Sequence, residues 1–471
     1  MDSQKRLDDL FRQQKNSVNV NASYDVRSHN LSTLKQVILK HKDQIAKAVE
    51  EDFGCRNHYE TFLCELLPSI KSINYILKQL KKWMKPEKRK VHLLFQPAQN
   101  KIMYQPKGVV GIIVPWNYPI YLSIGPIAYA LAAGNKVMVK MSESTPETGK
   151  ILAEIFDQAF SDKLVQIING DAKVASDFSK LPFDHLLFTG STQIGKLVMQ
   201  SASENLTPVT LELGGKSPVI IDEKVNIKAI ARKIAFGKLV NSGQTCIAPD
   251  YVLCHISQEN KLIKALSLAV KKLYPKFSTN SEYTNIINES QYKRLIGYIN
   301  DAKSKGAKTH ELSQSKSKKN NAEPKFCQIK PIALTNLNDD MLIMQNEIFG
   351  PLLPIITYKN INEAILYVNE RPKPLALYFF GHDKKTQQQV LNNTTSGGVT
   401  INDTLMHIVQ DDLPFGGIGP SGIGHYHGIE GYKTFSHARS IHYKSKLNFG
   451  GLIQPPYGGF IQRFIIKKFI K

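Results

Sequence analysis

The sequence contains few cysteines. Five occur in 471 residues, and so small and odd a number cannot form the disulfide framework of a secreted scaffold. The N-terminus also lacks the apolar core of a signal peptide, since it begins with polar and charged residues. These two absences argue against a secreted protein and predict a reducing, cytoplasmic compartment.

Uninterrupted apolar segments long enough to cross a bilayer are also lacking. Residues 108–135 carry no formal charge and have the necessary length. Prolines interrupt that segment, and a proline breaks the helical hydrogen bonds that lipid-exposed backbone requires. We therefore predict a buried strand over 109–114, followed by a buried helix that begins near Pro119 and ends at Gly134.

Acidic residues are scarce relative to basic ones. Lys and Arg number 61 against 40 Asp and Glu, which gives a formal charge of +21. This excess suggests nucleic acid, an anionic membrane or anionic ligands, and composition does not choose among them. Apolar residues at 42% and charged residues at 21% are typical of a globular protein and exclude wholesale disorder.

The order of the predicted elements indicates an α/β protein. Helical periodicity covers residues 31–85, and residues 91–105 are typical of two strands around a turn. Strands and helices then alternate, which predicts parallel sheets covered by helices, in two domains. The lysine-rich residues 303–319 are predicted to be an exposed loop. The predicted strands of the two series are 109–114, 136–139, 165–168 and 185–188, then 219–221, 252–255, 353–356 and 377–380.

Two motifs suggest a bound nucleotide, although each has an ordinary explanation. Gly190 and Gly195 lie in a turn between a predicted strand and a helix, where backbone N–H groups favour a phosphate. An ordinary strand-to-helix turn explains the same spacing. Glu143 follows the strand at 136–139, where an acid can hold a ribose hydroxyl, but a solvated helix start explains it equally well.

Cys246 and Glu212 are the candidates for covalent chemistry. Cys246 lies among small polar residues, as an exposed nucleophile does, although most free cysteines are small core residues. Glu212 lies between two leucines, and burial there raises a carboxyl pKa towards that of a useful base; the alternative is a glutamate on a solvated strand face. We expect no metal site, since His425 and His427 have no completing ligands nearby. No role is assigned to Cys55, Cys64, Cys254 and Cys327.

The order and separation of these motifs resemble the aldehyde dehydrogenase superfamily along nearly the whole chain. Segments 414–419, 424–428 and 434–437 are similar to its class 3 branch, which includes fatty, aromatic and coniferyl aldehyde dehydrogenases. The matching segments are Pro115-Trp-Asn-Tyr-Pro119, Lys140-Met-Ser-Glu143, Phe188 to Gly195, Leu211-Glu-Leu-Gly-Gly-Lys216, Gly243-Gln-Thr-Cys246 and Glu347-Ile-Phe-Gly-Pro351.

The resemblance implies a Rossmann-like cofactor domain, an α/β catalytic domain and a small bridging element that serves oligomerisation. It also implies a homodimer. The expected ranges are 1–90 and 106–212 for the NAD(P)-binding domain, 213–415 for the catalytic domain, 91–105 and 430–458 for the bridging element, and 459–471 for a basic amphipathic tail.

The resemblance further implies a role for each matching residue. Cys246 is the expected nucleophile, Asn117 the side-chain donor to the oxyanion, and Glu212 the base that activates water. Two residues depart from the family pattern: Met141, where proline is usual, and Pro420, where many relatives have a polar residue. The expected NAD or NADP contacts are Lys140 and Glu143 at the adenosine ribose, Gly190 and Ser191 at the pyrophosphate turn, Glu347 and Phe349 near the nicotinamide ribose, and Trp116 and Gly195 elsewhere in the cofactor site.

The expected reaction oxidises an aldehyde to the carboxylic acid through a thiohemiacetal and a thioester on Cys246. The aldehyde is either aromatic, such as coniferyl aldehyde, or aliphatic with a medium or long chain. Acyl transfer to coenzyme A is the nearest alternative, but in the family that reaction does not use the base at Glu212. A more distant alternative is that the chain is a basic nucleic-acid-binding protein. Residues 78–90 are rich in lysine, but no nucleic-acid motif accompanies them, so we expect no nucleic-acid partner.

The last dozen residues are a separate feature. On a helical wheel, residues 460–471 gather isoleucines on one broad side and basic residues on the other. This pattern suits a membrane interface, and it suits equally a helix docked on its own subunit or on a dimer partner. The class 3 resemblance favours the membrane, so we expect a cytoplasmic enzyme with peripheral membrane contact.

Overall fold

The computed structural model describes residues 3–19, 21–160, 162–275, 277, 280–313, 328–446, 451 and 454–470. Their strands form three sheets. The strands are β1 Glu87–Arg89, β2 Gln99–Pro106, β3 Val109–Ile113, β4 Lys136–Lys140, β5 Val165–Ile168, β6 His185–Thr189, β7 Val209–Glu212, β8 Pro218–Ile221, β9 Tyr251–His255, β10 Lys308–Glu311, β11 Ile332–Thr335, β12 Leu352–Tyr358, β13 Ala376–Phe380, β14 Gly398–Ile401, β15 Gly422–Ile423 and β16 Ser436–Tyr443.

Helices connect the strands and cover the larger sheets. None of the helices in the described ranges combines the length and apolarity that a membrane span requires. The α-helices are α1 Ser3–Asn16, α2 Tyr24–Lys40, α3 Lys42–Phe53, α4 His58–Thr61, α5 Leu67–Trp83, α6 Tyr121–Ala133, α7 Pro146–Ala159, α8 Ala172–Ser179, α9 Thr192–Ser203, α10 Ile227–Leu239, α11 Glu259–Leu273, α12 Glu289–Ser304, α13 Leu342–Gln345, α14 Ile361–Asn369, α15 Lys384–Asn393, α16 Gly428–Thr434 and α17 Phe460–Phe469, with a π-helix over Phe62–Leu66 between α4 and α5.

The six-stranded sheet has the order β15-β7-β6-β3-β4-β5, and its strands are parallel except for β15. The chain runs from β3 outward through β4 and β5, then returns to the other side of β3 with β6 and β7. The reversal between β3 and β6 opens a crevice at the carboxyl ends of the strands, where doubly wound sheets bind ligands. Asn117 follows β3 and Gly190 follows β6, so both lie at that edge.

The seven-stranded sheet has the order β10-β11-β12-β9-β8-β13-β14, with β10 antiparallel and the others parallel. The segment that contains Cys246 connects α10 to β9, the central strand of this sheet. A third sheet, antiparallel and of the order β1-β2-β16, joins residues 87–106 to residues 436–443. The predicted α/β class is therefore confirmed.

The local predictions are confirmed where apolar patterning is strong. All eight strands of the two predicted series occur, with ends shifted by one or two residues at most. The buried helix is α6, and Gly134 ends it in the left-handed conformation, with φ of 90°. Helices also fill the predicted helical region 31–85.

Two local predictions are wrong. Residues 91–105 contain one strand, because Leu93–Phe95 form a 3₁₀ turn and Leu93 is exposed. The partners of this strand, β2, are β1, which precedes the predicted pair, and the distant β16. The supposed loop 303–319 begins with the end of α12 and includes β10, whose hydrogen bonds to β11 give its polar residues a strand conformation. Residues 314–319 and Cys327 lie outside the described part of the chain.

Candidate active site

A cleft of about 970 Å³ is lined by residues that follow strands of both larger sheets. It brings most of the predicted site residues together. Lys140, Glu143 and Gly195 are not among the described residues that line it. The predicted site residues that line the cleft are Trp116, Asn117, Gly190, Ser191, Glu212, Cys246, Glu347 and Phe349.

Cys246 follows a tight turn of unusual backbone conformation. Asn241 and Ser242 both have positive φ, 51° and 52°, and Gly243 follows with φ of 77°. A Cβ at Gly243 would lie 2.4 Å from the carbonyl oxygen of Gly350, so only glycine fits there. The turn brings the partly buried Cys246 side chain to the cleft.

Burial and nearby carboxylates raise the pKa of the Cys246 thiol. Desolvation raises its pKa to about 12, and the negative charges of Glu347 and Glu212 contribute in the same direction. The thiolate is the nucleophilic form of cysteine. The thiol therefore holds its proton near neutral pH and must transfer it when it attacks a carbonyl.

Asn117 is buried with its amide directed by a hydrogen bond. Its Nδ2 donates to the Gln244 carbonyl oxygen at 3.1 Å, and an amide NH₂ has a second N–H to donate. The backbone carbonyl of Asn117 accepts hydrogen bonds from Arg56 Nη1 and Asn241 Nδ2, both at 2.9 Å. A neutral donor fixed in this way suits an oxyanion that develops during a reaction.

Glu212, at the end of β7, is 2% exposed. Neither of its carboxylate oxygens has a hydrogen-bond partner among the described residues. Burial holds its pKa well above the ordinary glutamate value, because desolvation penalises the charged form. An unpartnered carboxylate with a raised pKa in a cleft has the properties of a general base.

Two parts of the cleft have chemistry that suits a dinucleotide cofactor, a helix N-terminus at Ser191 and a carboxylate at Glu347. Ser191 caps α9, its Oγ accepting from the Ile194 N–H at 3.4 Å, and a helix N-terminus favours phosphate. A Cβ on Gly214 would lie 2.2 Å from Glu347 Oε2. The absence of a side chain at Gly214 therefore makes room for the Glu347 carboxylate. Burial raises the pKa of Glu347 to about 8.

Trp116, Phe349 and Gly195 make close packing contacts. The rings of Trp116 and Phe349 meet edge to face, with centroids 5.3 Å apart. Gly195 is buried, and a Cβ there would lie 2.6 Å from the Leu213 side chain. Its contact with Leu213 places α9 close to the segment that follows β7.

Lys140 is the last residue of β4, and the exposed Glu143 lies three residues beyond the strand. Lys140 is 1% exposed, and its Nζ donates to the carbonyl oxygens of Met141 and Gly170 at 2.6 and 2.7 Å. Desolvation lowers its pKa. The Met141 N–H donates to the Ile168 oxygen at 3.0 Å, a bond that the family's usual proline cannot make.

Pro420, the second departure from the family pattern, lines the cleft. Its carbonyl oxygen accepts a hydrogen bond from Thr192 Oγ1 at 2.9 Å. Any residue supplies that carbonyl, so the contact does not require a polar side chain at position 420.

Sequence reasoning missed several charged residues at the cleft. Arg294, on α12, donates to the Ile348 oxygen at 2.9 Å and so supports the segment that contains Glu347. Lys216 forms an ion pair with Asp250. Both residues meet these partners only through the fold. The sequence around Arg294 is that of an ordinary helix, and the Leu211–Lys216 motif does not show that Lys216 pairs with Asp250.

The two histidines near the C-terminus are packing residues or surface residues. His427 is buried against Tyr121, Tyr129 and Phe415, and burial lowers its pKa to about 3. His425 is exposed. Among the described residues no group of three or more His, Cys, Asp or Glu side chains could hold a metal ion.

Comparison with known proteins identifies the family. The aldehyde dehydrogenase family profile matches residues 13–441. A probable coniferyl aldehyde dehydrogenase of Pseudomonas aeruginosa is 51% identical, over 94% of this chain and 91% of the relative. Aldehyde dehydrogenase family 3 member A2 of Pongo abelii is 39% identical, over 94% and 90%.

Solved structures agree with the sequence matches. The substrate-bound state of Staphylococcus aureus AldH superposes with a TM-score of 0.91 at 38% identity, covering 99% of both chains. A Mycobacterium tuberculosis aldehyde dehydrogenase complexed with NAD⁺ superposes with a TM-score of 0.84 at 26% identity, over 95% of this chain and 91% of the other.

The fold and the cleft define a cysteine-containing oxidoreductase with a doubly wound nucleotide domain. The chain belongs to the aldehyde dehydrogenase family, in its class 3 branch. It is an NAD(P)-dependent enzyme that oxidises an aldehyde to the carboxylic acid.

Proposed function

We propose that Cys246 is the nucleophile of this oxidation, with Asn117 as the oxyanion donor and Glu212 as the base. One observation supports all three roles: the cleft brings together a thiol, a directed amide and a buried carboxylate without a partner among the described residues. The same thiol and amide also suit acyl transfer to coenzyme A. The two reactions differ in the step that follows formation of the thioester.

In the first step the Cys246 sulfur forms a bond to the aldehyde carbon. The carbonyl π electrons move to oxygen, and the thiol proton passes to solvent water. Because the pKa of the thiol is about 12, this proton transfer is part of the attack. The Asn117 Nδ2 and the Cys246 backbone N–H are the donors for the resulting oxyanion.

The oxyanion then collapses, the carbon loses a hydride, and a thioester on Cys246 remains. A nicotinamide cofactor, when bound, accepts that hydride. Gly190 and Ser191 would hold its pyrophosphate, and Glu347 with Phe349 its nicotinamide ribose. Lys140 and Glu143 are at the sheet edge expected for the adenosine ribose, with Trp116 and Gly195 elsewhere in the site.

Hydrolysis of the thioester completes the reaction. Glu212 takes a proton from water as the water oxygen attacks the thioester carbon, and the C–S bond breaks to release the acid and the thiol. Transfer to coenzyme A needs no such base, so the unpartnered carboxylate favours hydrolysis. Product analysis with and without coenzyme A distinguishes the two reactions.

The experiment that tests the proposal is replacement of the nucleophile. Cys246→Ala should abolish aldehyde-dependent formation of reduced nicotinamide, because no other group forms the thiohemiacetal. Cys55→Ala is the matched control, since Cys55 is also partly exposed but lies outside the cleft residues, and it should keep full activity. Retained activity in Cys246→Ala would refute the mechanism.

For the substrate we propose an aromatic aldehyde of the coniferyl type. The Pseudomonas aeruginosa relative is named as a probable coniferyl aldehyde dehydrogenase, and the class 3 resemblance leaves a medium- or long-chain aliphatic aldehyde as the alternative. A panel of both aldehyde classes with NAD and with NADP, compared by kcat/KM, decides between them.

We propose that the enzyme is a cytoplasmic homodimer. In the described residues β16 is one of the two edge strands of the three-stranded sheet, and its eight residues pair with β2 alone. A long exposed edge is a template for pairing with another chain. Sedimentation equilibrium should give twice the mass of 52.9 kDa; a monomer at micromolar concentration would contradict the proposal.

For the tail we propose peripheral contact with an anionic membrane, with no nucleic-acid partner. The helix α17 has no buried residue, and Phe460 and Phe469 are 87% and 70% exposed. Lys467 and Lys468 add positive charge beside them. Deletion of residues 459–471 should abolish co-sedimentation with anionic vesicles while kcat is kept; unchanged sedimentation would exclude the tail as the contact.

A further inference from the structure

Arg56 is a completely buried arginine between α3 and α4, with no exposed surface. A buried guanidinium is costly unless its charge is paired, and the Nε and Nη2 atoms of Arg56 have no hydrogen-bond partner among the described residues. Its Nη2 lies 3.1 Å from Glu65 Oε1, and its Cζ lies 4.9 Å from the ring centroids of both Phe53 and Tyr118. An ion pair on one side and aromatic rings on two others fix the orientation of the guanidinium.

This guanidinium and its partner hold the segment that contains Asn117. Arg56 Nη1 donates to the Asn117 carbonyl oxygen at 2.9 Å. Glu65 Oε2 accepts from the N–H groups of Ile120 and Tyr121, at 2.7 and 3.2 Å, at the start of α6. The pair therefore fixes the middle of the short segment between β3 and α6, at Asn117, and its end at the start of α6.

The same Asn117 carbonyl is joined to the turn before Cys246. Asn241 Nδ2 donates to it at 2.9 Å, and the Asn241 N–H donates to Glu60 Oε1 at 2.6 Å. One carbonyl oxygen thus receives a donor from Arg56 and a donor from the Cys246 turn. Its position sets the Asn117 amide relative to the cysteine.

We propose that Arg56 is a positioning residue for aldehyde oxidation, which holds Asn117 in register with the Cys246 turn. The inference rests on the proposed roles of Asn117 and Cys246. Misplacement of a reacting group by about 1 Å can cost on the order of 100-fold in rate. A purely structural ion pair, by contrast, would affect stability and leave the chemistry of the folded enzyme unchanged.

Two variants test the inference. Arg56→Lys keeps the charge but offers one nitrogen in place of the planar fork, so it cannot face Glu65 and Asn117 together as arginine does. The double variant Arg56→Met with Glu65→Gln removes both charges, a replacement that buried pairs often tolerate. Both are measured as the full-length enzyme.

Three rates are compared in the folded variants. Turnover of aldehyde and acylation by p-nitrophenyl acetate without cofactor both form an oxyanion, whereas alkylation of Cys246 by iodoacetamide forms none. We expect kcat and ester acylation to fall about 10- to 100-fold, with KM and the alkylation rate within about threefold of wild type. A parallel fall of all three rates would overturn the inference, because the thiol itself would then be displaced.

Arg27→Lys is the matched control. Arg27 is another buried arginine, 5% exposed, which donates to the Ala132 oxygen near the opposite end of α6. It should lower the melting temperature and leave kcat unchanged. Arg56 variants with wild-type kcat would also overturn the inference. If Asn117→Ala keeps full turnover, the proposed function itself fails, which is a separate result.

Discussion

Replacement of Glu212 by glutamine tests the order of the chemical steps. Glutamine has nearly the same shape but accepts no proton at neutral pH, so only the proton transfer from the attacking water to residue 212 is lost. Because no described residue bonds to the Glu212 oxygens, the substitution removes no hydrogen bond that holds the cleft together. Cys246 and Asn117 keep their positions.

The expected size of the effect follows from general-base catalysis. Such a base contributes about 10²- to 10⁴-fold, which is about 2.7–5.4 kcal/mol of barrier at about 1.36 kcal/mol per decade. In Glu212→Gln we expect steady-state kcat to fall by this factor. Formation of the thioester should continue, so the first turnover survives.

The assay is rapid mixing with saturating aldehyde and cofactor, with reduced nicotinamide followed by absorbance. Glu212→Gln should give one burst equivalent per active site, followed by a very slow steady rate. A variant with no burst would show that Glu212 acts before the thioester. A steady rate within tenfold of wild type would show that Glu212 is not the base for hydrolysis.

Stability gives a second measurement on the same variant. The pKa of Glu212 is higher in the folded state than in the unfolded state because of burial. The folded state therefore binds the proton more tightly, and wild-type stability falls as pH rises from the unfolded value towards the folded one. Glu212→Gln should exceed wild type in melting temperature by a margin that grows with pH. A constant difference would refute the reasoning.

Three further substitutions have defined outcomes. Asn117→Ala should lower kcat/KM about 10²- to 10³-fold by loss of an oxyanion donor, with thiol alkylation by iodoacetamide unchanged; alkylation that fell equally would indicate a displaced turn instead. Glu143→Thr should raise kcat/KM with NADP relative to NAD, because a carboxylate near the adenosine ribose repels a 2′-phosphate; an unchanged ratio would place Glu143 away from the cofactor. Gly214→Ala should weaken NAD binding in fluorescence titration, since its Cβ would meet Glu347, while an unchanged dissociation constant would separate Glu347 from the cofactor.

The sequence by itself determined the elements whose patterning is local. The β-branched run before Pro115 forms β3, and a glycine in the left-handed conformation ends α6 as predicted. Motif order along the chain was sufficient to identify the family and to propose Cys246, Asn117 and Glu212. These features depend on neighbouring residues, or on spacing that the printed sequence contains.

Tertiary structure decided the features that depend on distant partners. The polar segment Lys308–Glu311 became a strand because β11 forms hydrogen bonds with it. The first of the two strands predicted in residues 91–105 did not form, because its apolar residue Leu93 is exposed. Burial without a partner gives Glu212 its raised pKa. Arg56 has no motif around it; it meets Asn117 only when the chain folds. Burial and hydrogen bonding between remote residues are properties of the packed chain, so no local pattern contains them.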